Sequence, residues 1–173
     1  MRMVRWAANR ALSDAPADIL PFLKRVFETI GMAKVANSAD EAKVLGFLDP
    51  TTKVVMPSDR RLYVAKQTVL CLDQQGYSPP PRYPIPVLGE PARAVLEHIA
   101  YIMHQGGYIT EYDRALADRL AYVLTGGNLT APAQVDDDYL LQLERDNFLP
   151  LVDEPKTKER ILYMLKTKKP LRN

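Results

Sequence analysis

Thr110-Glu111-Tyr112-Asp113-Arg114-Ala115-Leu116-Ala117-Asp118-Arg119-Leu120-Ala121-Tyr122-Val123-Leu124-Thr125-Gly126-Gly127 is the stretch that decides the fold class of this 173-residue chain. It opens with a hydroxyl followed three residues later by an acid, a capping box with Asp in place of Glu. Ala117, Leu120, Ala121 and Leu124 then recur at helical spacing and form one apolar face. The glycine pair removes the side chains that would resist a left-handed end, so it stops the helix.

The same signals repeat outward. On the amino-terminal side Val95, Ile99 and Ile102 share a helix face that runs to Gly106-Gly107. On the other side Asp136-Asp137-Asp138 sets acids at the positive end of a helix whose apolar set is Leu140, Leu141, Leu143, Phe148 and Leu151. A last helix begins near Pro155, a residue suited to the first helical position, and carries Ile161, Leu162, Met164 and Leu165. Pro170 marks its end.

Earlier in the chain Ile19, Leu20, Leu23, Val26, Phe27 and Ile30 make an apolar stripe, with Lys24, Arg25 and Glu28 on the other side. Pro16 fits the first turn of such a helix, and Pro21 implies either a kink or a new start. Ser38-Ala39-Asp40-Glu41 is a further capping box, opening a short helix through Val44 that stops at Gly46. The β-branched run Lys53-Val54-Val55-Met56 admits a strand, although four residues do not settle it. Ser58 or Asp59 starts a longer helix with Leu62, Ala65, Val69 and Leu72 on one face, ended by Gly76. Cys71 falls inside that apolar pattern and reads as a buried core thiol.

Residues 77–91 hold Tyr77-Ser78-Pro79-Pro80-Pro81-Arg82-Tyr83-Pro84-Ile85-Pro86 and must be extended, because each proline disfavours helix before it and lacks an N–H. Such a stretch is a semi-rigid spacer, either a strap over the surface or a polyproline ligand for an adaptor domain. The expected organisation is therefore a mainly α chain: a helical segment over 1–76, a proline-rich linker over 77–91 and a helical domain over 92–173, with at most one or two very short strands.

Composition narrows the function classes. Hydrophobic residues make up 47% and charged residues 25%, a balance suited to a folded, soluble protein. A net charge of +2 steers the chain toward neither nucleic acid nor membrane. One cysteine allows no intrachain disulfide, no apolar run is long enough to span a bilayer, and the amino terminus lacks a signal-peptide core. A cytoplasmic location is the expectation.

No catalytic constellation is visible. His98 and His104 are six residues apart, on opposite or oblique helix faces, which argues against a shared metal. No Gly-x-Ser-x-Gly turn or Gly-rich phosphate cradle occurs. Glu41, Glu97, Glu111 and Glu144 read as caps, solvated faces or ion-pair partners, and Asp136–Asp138 lacks the loop of a calcium site. The carboxyl-terminal stretch is basic, with Lys156, Lys158, Arg160, Lys166, Lys168, Lys169 and Arg172 offset only by Glu159. Two readings stay open for it: a hold on a phosphorylated ligand, or cations near the negative end of a helix.

Four segments of the last third carry a resemblance. Leu120–Gly127, Tyr139-Leu140-Leu141-Gln142-Leu143-Glu144-Arg145, Glu154-Pro155-Lys156-Thr157-Lys158-Glu159-Arg160-Ile161 and Met164-Leu165-Lys166-Thr167-Lys168-Lys169-Pro170-Leu171-Arg172-Asn173 together resemble the carboxyl terminus of bacterial multifunctional β-oxidation proteins. These proteins join a 3-hydroxyacyl-CoA dehydrogenase to an enoyl-CoA hydratase-like, or crotonase, region. Their tail usually has Gly where this chain has Lys168. Leu20-Pro21-Phe22-Leu23, Phe27-Glu28-Thr29-Ile30 and Met32-Ala33-Lys34-Val35 resemble the helix after the crotonase core. Ser38–Ala42 and Leu45-Gly46-Phe47-Leu48 resemble the crotonase A-x-x-x-G-L/F element.

The resemblance implies the helical carboxyl-terminal part of a crotonase-like protein, a fragment or subunit that packs against the enzyme or completes its CoA site. It also implies coenzyme A or acyl-CoA as ligand, with Lys166, Lys168, Lys169 and Arg172 against the CoA phosphates and no catalytic residue in this chain. The two crotonase glutamates and the backbone oxyanion hole belong to a core upstream of this sequence. NAD enters only through a dehydrogenase domain whose Gly-rich turn and His–Glu pair are not found here. The expected partners are a separate crotonase-core or dehydrogenase chain, or a second copy. A helical interaction module unrelated to lipid metabolism is the rival reading.

Overall fold

The computed structural model describes residues 2–12, 18–79 and 81–173, and divides into two compact units. Pro16 and Pro80, to which the sequence assigned a first helical turn and part of the linker, lie outside the described residues. The larger unit comprises Met1–Val35 together with Pro84–Asn173, and the smaller one Ala36–Tyr83. The amino-terminal helices thus group with the carboxyl-terminal ones, a division that differs from one drawn at 77–91.

In the larger unit the helices are α1 (Arg2–Leu12), α2 (Leu20–Gly31), α5 (Gly89–Gln105), α6 (Glu111–Leu124), α7 (Asp137–Asp153) and α8 (Pro155–Thr167). Two three-residue strands, β1 (Ile85–Val87) and β2 (Ala133–Val135), pair antiparallel, with Ile85 opposite Val135 and Val87 opposite Ala133. Val4 and Ala7 of α1, Leu23, Val26 and Phe27 of α2, Leu96 and Ala100 of α5, Ala121 and Leu124 of α6, and Leu140 of α7 form one buried cluster with Ile85 and Val87. Each fully buried leucine there contributes about 1.5–3 kcal/mol of transfer free energy.

The caps follow the sequence. Thr110 and Asp113 make the reciprocal capping box, the Asp136 carboxylate accepts the Tyr139 N–H at 2.7 Å, and Pro155 opens α8. Pro21 lies in the first turn of α2, so it marks a new start rather than a kink. In this unit three expectations change. Residues 85–87 are not a surface strap: the prolines do impose extension, but the alternation of Ile85 and Val87 turns it into a buried strand, and α5 begins at Gly89. The inward face of α5 is Ala92, Leu96 and Ala100, while Ile102 is exposed. On α7 Leu141 and Phe148 are exposed, and on α8 so are Ile161, Leu162, Met164 and Leu165, because no element of the unit covers that side. The helix α1 has no counterpart in the sequence reading. Its spacing of Val4, Ala7 and Ala8 was masked by arginines, whose stems flank a buried face.

The smaller unit holds α3 (Ala39–Leu45), a 3-10 turn (Ser58–Arg60) and α4 (Arg61–Gln74). Ser38 Oγ accepts the Glu41 N–H at 3.0 Å, and the Glu41 carboxylate accepts the Asn37 N–H at 2.7 Å. Gly46, at φ 84°, ends α3. Lys53–Met56 is not a strand; no neighbouring chain offers it a ladder. The apolar face of α4 is exposed, Leu62 at 85% and Val69 at 64%, because nothing in the unit packs extensively over it. Cys71 is exposed as well, correcting the expected core thiol.

Gly89 is the tightest point of the larger unit. It adopts φ +67°, its N–H bonds to Thr125 O at 2.9 Å, and an added Cβ would stand 2.7 Å from the carbonyl oxygens of Ala131 and Leu129. Gly89→Ala is expected to cost about 3 kcal/mol in urea unfolding, from the left-handed backbone and the overlap together; a cost under about 0.5 kcal/mol contradicts the assignment. Lys168, which follows α8 at φ 58°, is the converse case. Replacing it by the glycine of the resembling tails should raise stability by about 1 kcal/mol in the same assay.

Candidate ligand cavity and basic tail

A cavity of about 660 Å³ lies within the larger unit, inside the size range of small-molecule sites. The end of α2 supplies Phe27, Ile30 and Met32, α5 supplies Ile99 and Met103, and α6 supplies Leu116, Ala117 and Leu120. Pro170, Leu171 and Arg172 of the tail complete the wall. These side chains line the cavity because α2, α5 and α6 pack on one another through their small and aliphatic faces, and the tail after α8 returns toward the start of α6.

Charge is concentrated where that tail meets α6. Asp113 Oδ2 accepts the Thr110 N–H at 3.1 Å, while Oδ1 accepts from Arg160 Nη1 at 2.7 Å. Arg160 Nε donates to Asn173 Oδ1 at 2.7 Å, and Nη2 donates to Asn173 O at 3.2 Å. The guanidinium also stands 4.9 Å from the centre of the Tyr112 ring, whose hydroxyl shares a hydrogen bond with Thr157. Arg172 Nη1 reaches Asp113 Oδ2 at 3.7 Å from a half-exposed position. Burial pushes the Asp113 carboxyl up, but the hydrogen bonds from Arg160 and Thr110 and the charge of Arg160 outweigh it and hold the group below the ordinary carboxylate range. Asp118 lies on the other side of that balance: burial raises it, and Arg114 only partly offsets the rise.

Asp113 is kept ionised and Arg160 is committed to carboxylate, carbonyl and ring, so the charges serve structure while the apolar wall offers contact area. Among the described residues no group of three His, Cys, Asp or Glu side chains is placed to hold a metal. His98 is exposed and stacks on Tyr101 at 6.3 Å, while the buried Nδ1 of His104 has no hydrogen-bond partner among the described residues.

Of the four cations assigned to CoA phosphates, Arg172 lines the cavity, whereas Lys166, Lys168 and Lys169 are exposed and do not. Sequence reasoning saw Asp113 only as a cap. Its partner Arg160 lies 47 residues away, and only Arg160 falls in a stretch that carries the resemblance, so the sequence held no signal that joins the two. Among the described residues no helix is long and apolar enough to cross a membrane.

The chain is similar to a probable 3-hydroxyacyl-CoA dehydrogenase of Bacillus subtilis (strain 168), 42% identical over 149 residues. The match takes in 86% of this chain and 19% of that protein, so the chain corresponds to part of such an enzyme. No family model matches the chain, and neither does any solved structure.

Because the Asp113 value is depressed in the fold, its stabilisation is present above the ordinary carboxylate range and is lost as pH falls through the folded value. Asp113→Asn should cost about 2 kcal/mol at neutral pH, the loss of a hydrogen-bonded charge pair. In thermal melts the gap to the parent should close as the pH is lowered through and below the ordinary carboxylate range; a gap independent of pH contradicts the ionised pairing.

Proposed function

We propose that this chain is the non-catalytic, carboxyl-terminal helical portion of a 3-hydroxyacyl-CoA dehydrogenase of the multifunctional kind that works in cytoplasmic fatty-acid β-oxidation. The observation that carries the reading is the match itself: 42% identity sustained over 86% of this chain but only 19% of the relative. In this reading the dehydrogenase and crotonase-like regions supply NAD binding, the oxyanion hole and the acid/base groups. The present chain contributes packing surface to them, whether they belong to the same polypeptide or a separate one. A second copy of this chain is the other partner the reading admits.

The exposed apolar residues support this. Leu62 and Val69 on α4 and, on the other unit, Phe148, Leu162 and Leu165 on α7 and α8 lie open at 85%, 64%, 62%, 56% and 63%. Contiguous apolar surface on a folded protein marks an interaction site, and a part taken from a larger enzyme carries such faces where the remainder docks. The basic tail then completes the CoA site, with Lys166, Lys168, Lys169 and Arg172 forming charge-assisted hydrogen bonds to the phosphates. The exposure of the three lysines leaves their ammonium groups accessible to a phosphorylated ligand.

Calorimetric titration of the chain with coenzyme A and with a medium-chain acyl-CoA tests the tail assignment. Micromolar binding is expected, weakened at least about tenfold when the four cations are replaced by alanine. Binding that survives the fourfold replacement, or no binding by the intact chain, removes the tail from the CoA site.

A further inference from the structure

The tail Lys168–Asn173 is fixed at its two ends and runs along the cavity between them. At the near end Lys168 occupies the left-handed region at φ 58°, with its N–H still bonded to Met164 O at 2.8 Å. At the far end Asn173 is gripped from several sides. Its Oδ1 accepts from Arg160 at 2.7 Å, its main-chain oxygen accepts from Thr110 Oγ1 at 3.1 Å, and its Nδ2 donates to Glu159 Oε2 at 2.6 Å. Between these points Pro170 and Leu171 have no hydrogen bond among the described residues, and Pro170 has no N–H to give. Yet Pro170, Leu171 and Arg172 all line the cavity.

We propose that Lys168–Asn173 is a latched strap: a removable wall of the cavity, with Lys168 as its hinge and Asn173 as its latch. Three features carry the inference, and none depends on the reading of function given above. A segment held at its two ends, with only the long, half-exposed Arg172–Asp113 contact at 3.7 Å between them, opens at a lower free energy than the helices it lies on, because few bonds must be given up. Pro170 is already exposed, so Leu171 is the single apolar side chain of the strap whose release uncovers buried surface. The hinge is a non-glycine residue in a strained region, which any departure from the closed geometry relieves. Opening uncovers Ile99, Met103, Leu116 and Leu120, an aliphatic wall that would accept an apolar guest. Asp113 and Arg160 remain paired when the strap leaves, since their 2.7 Å contact joins α6 to α8 without it.

The test uses the full chain, Asn173→Ala, and a version ending after Lys169, with Lys53→Ala, an exposed cation outside the tail, as control. Binding of the fluorescent probe anilinonaphthalene sulfonate is read beside far-UV circular dichroism and the melting temperature. Apolar faces exposed elsewhere are common to all four proteins and cancel in the difference. The expected result is a rise in probe fluorescence on the order of two-fold or more for Asn173→Ala and for the shortened chain, at unchanged helix content, and none for Lys53→Ala. Unchanged fluorescence in a folded Asn173→Ala protein overturns the latch. If that substitution lowers helix content, the shortened chain decides by the same readout, and no rise there overturns the strap.

Discussion

α5 and α6 can lie close together because their facing positions are small. Ala92 and Ala100 on one helix and Ala121 on the other are buried, and Leu96 and Leu124 fill the space beside them. Gly89 makes the approach possible at its narrowest point. Its left-handed backbone lets one N–H reach Thr125 O at 2.9 Å, and the next N–H, that of Glu90, reaches Leu129 O at 2.7 Å. These two bonds tie the first turn of α5 to the chain leaving α6. They also seat β1, just before Gly89, beside β2, just after Leu129. With α6 so placed, its capped amino end presents Asp113 to Arg160 on α8, and the tail beyond α8 is gathered over the cavity.

What the sequence made legible was local. The capping box at Thr110, the hydroxyl cap at Ser38 (whose Glu41 takes the Asn37 N–H instead of closing the box), an acid cap at Asp136, a proline start at Pro155 and glycine stops at Gly46 and Gly76 involve neighbours in the chain, and the structure has each of them. What was hidden depended on partners far along the chain. Periodicity names an apolar face but not its cover: the same kind of stripe is buried on α6, where α5 and α2 lie against it, and open on α4 and α8. Cys71 follows from that same fact. Ile85 and Val87 were obscured by prolines, which dictate extension without saying whether an extended segment is paired. Gly89 gave no sign, since its role is set by carbonyls more than 30 residues away.

The candidate site was legible only in part. The basic tail could be read directly, and Arg172 does reach the cavity. The cavity itself, and the commitment of Arg160 to Asp113, Asn173 and the Tyr112 ring, required the packing of four helices. The glycine of the resembling tails at position 168 now has a physical reason: the chain turns there through the left-handed region, where lysine is strained.

Paired charges, an apolar cavity and uncovered helix faces fit the proposed role of a non-catalytic part of an acyl-CoA enzyme. The most direct measurement is turnover by the purified chain: oxidation of a 3-hydroxyacyl-CoA with NAD, followed as NADH absorbance, and hydration of an enoyl-CoA on the same sample. An oxyanion hole alone is worth about 3–4 kcal/mol of transition-state stabilisation; if that group and the acid/base residues belong to other regions, as proposed, the chain should give rates equal to the buffer blank in both assays. Turnover above the blank that co-purifies with the folded chain, and falls with substitutions lining its cavity, contradicts the account.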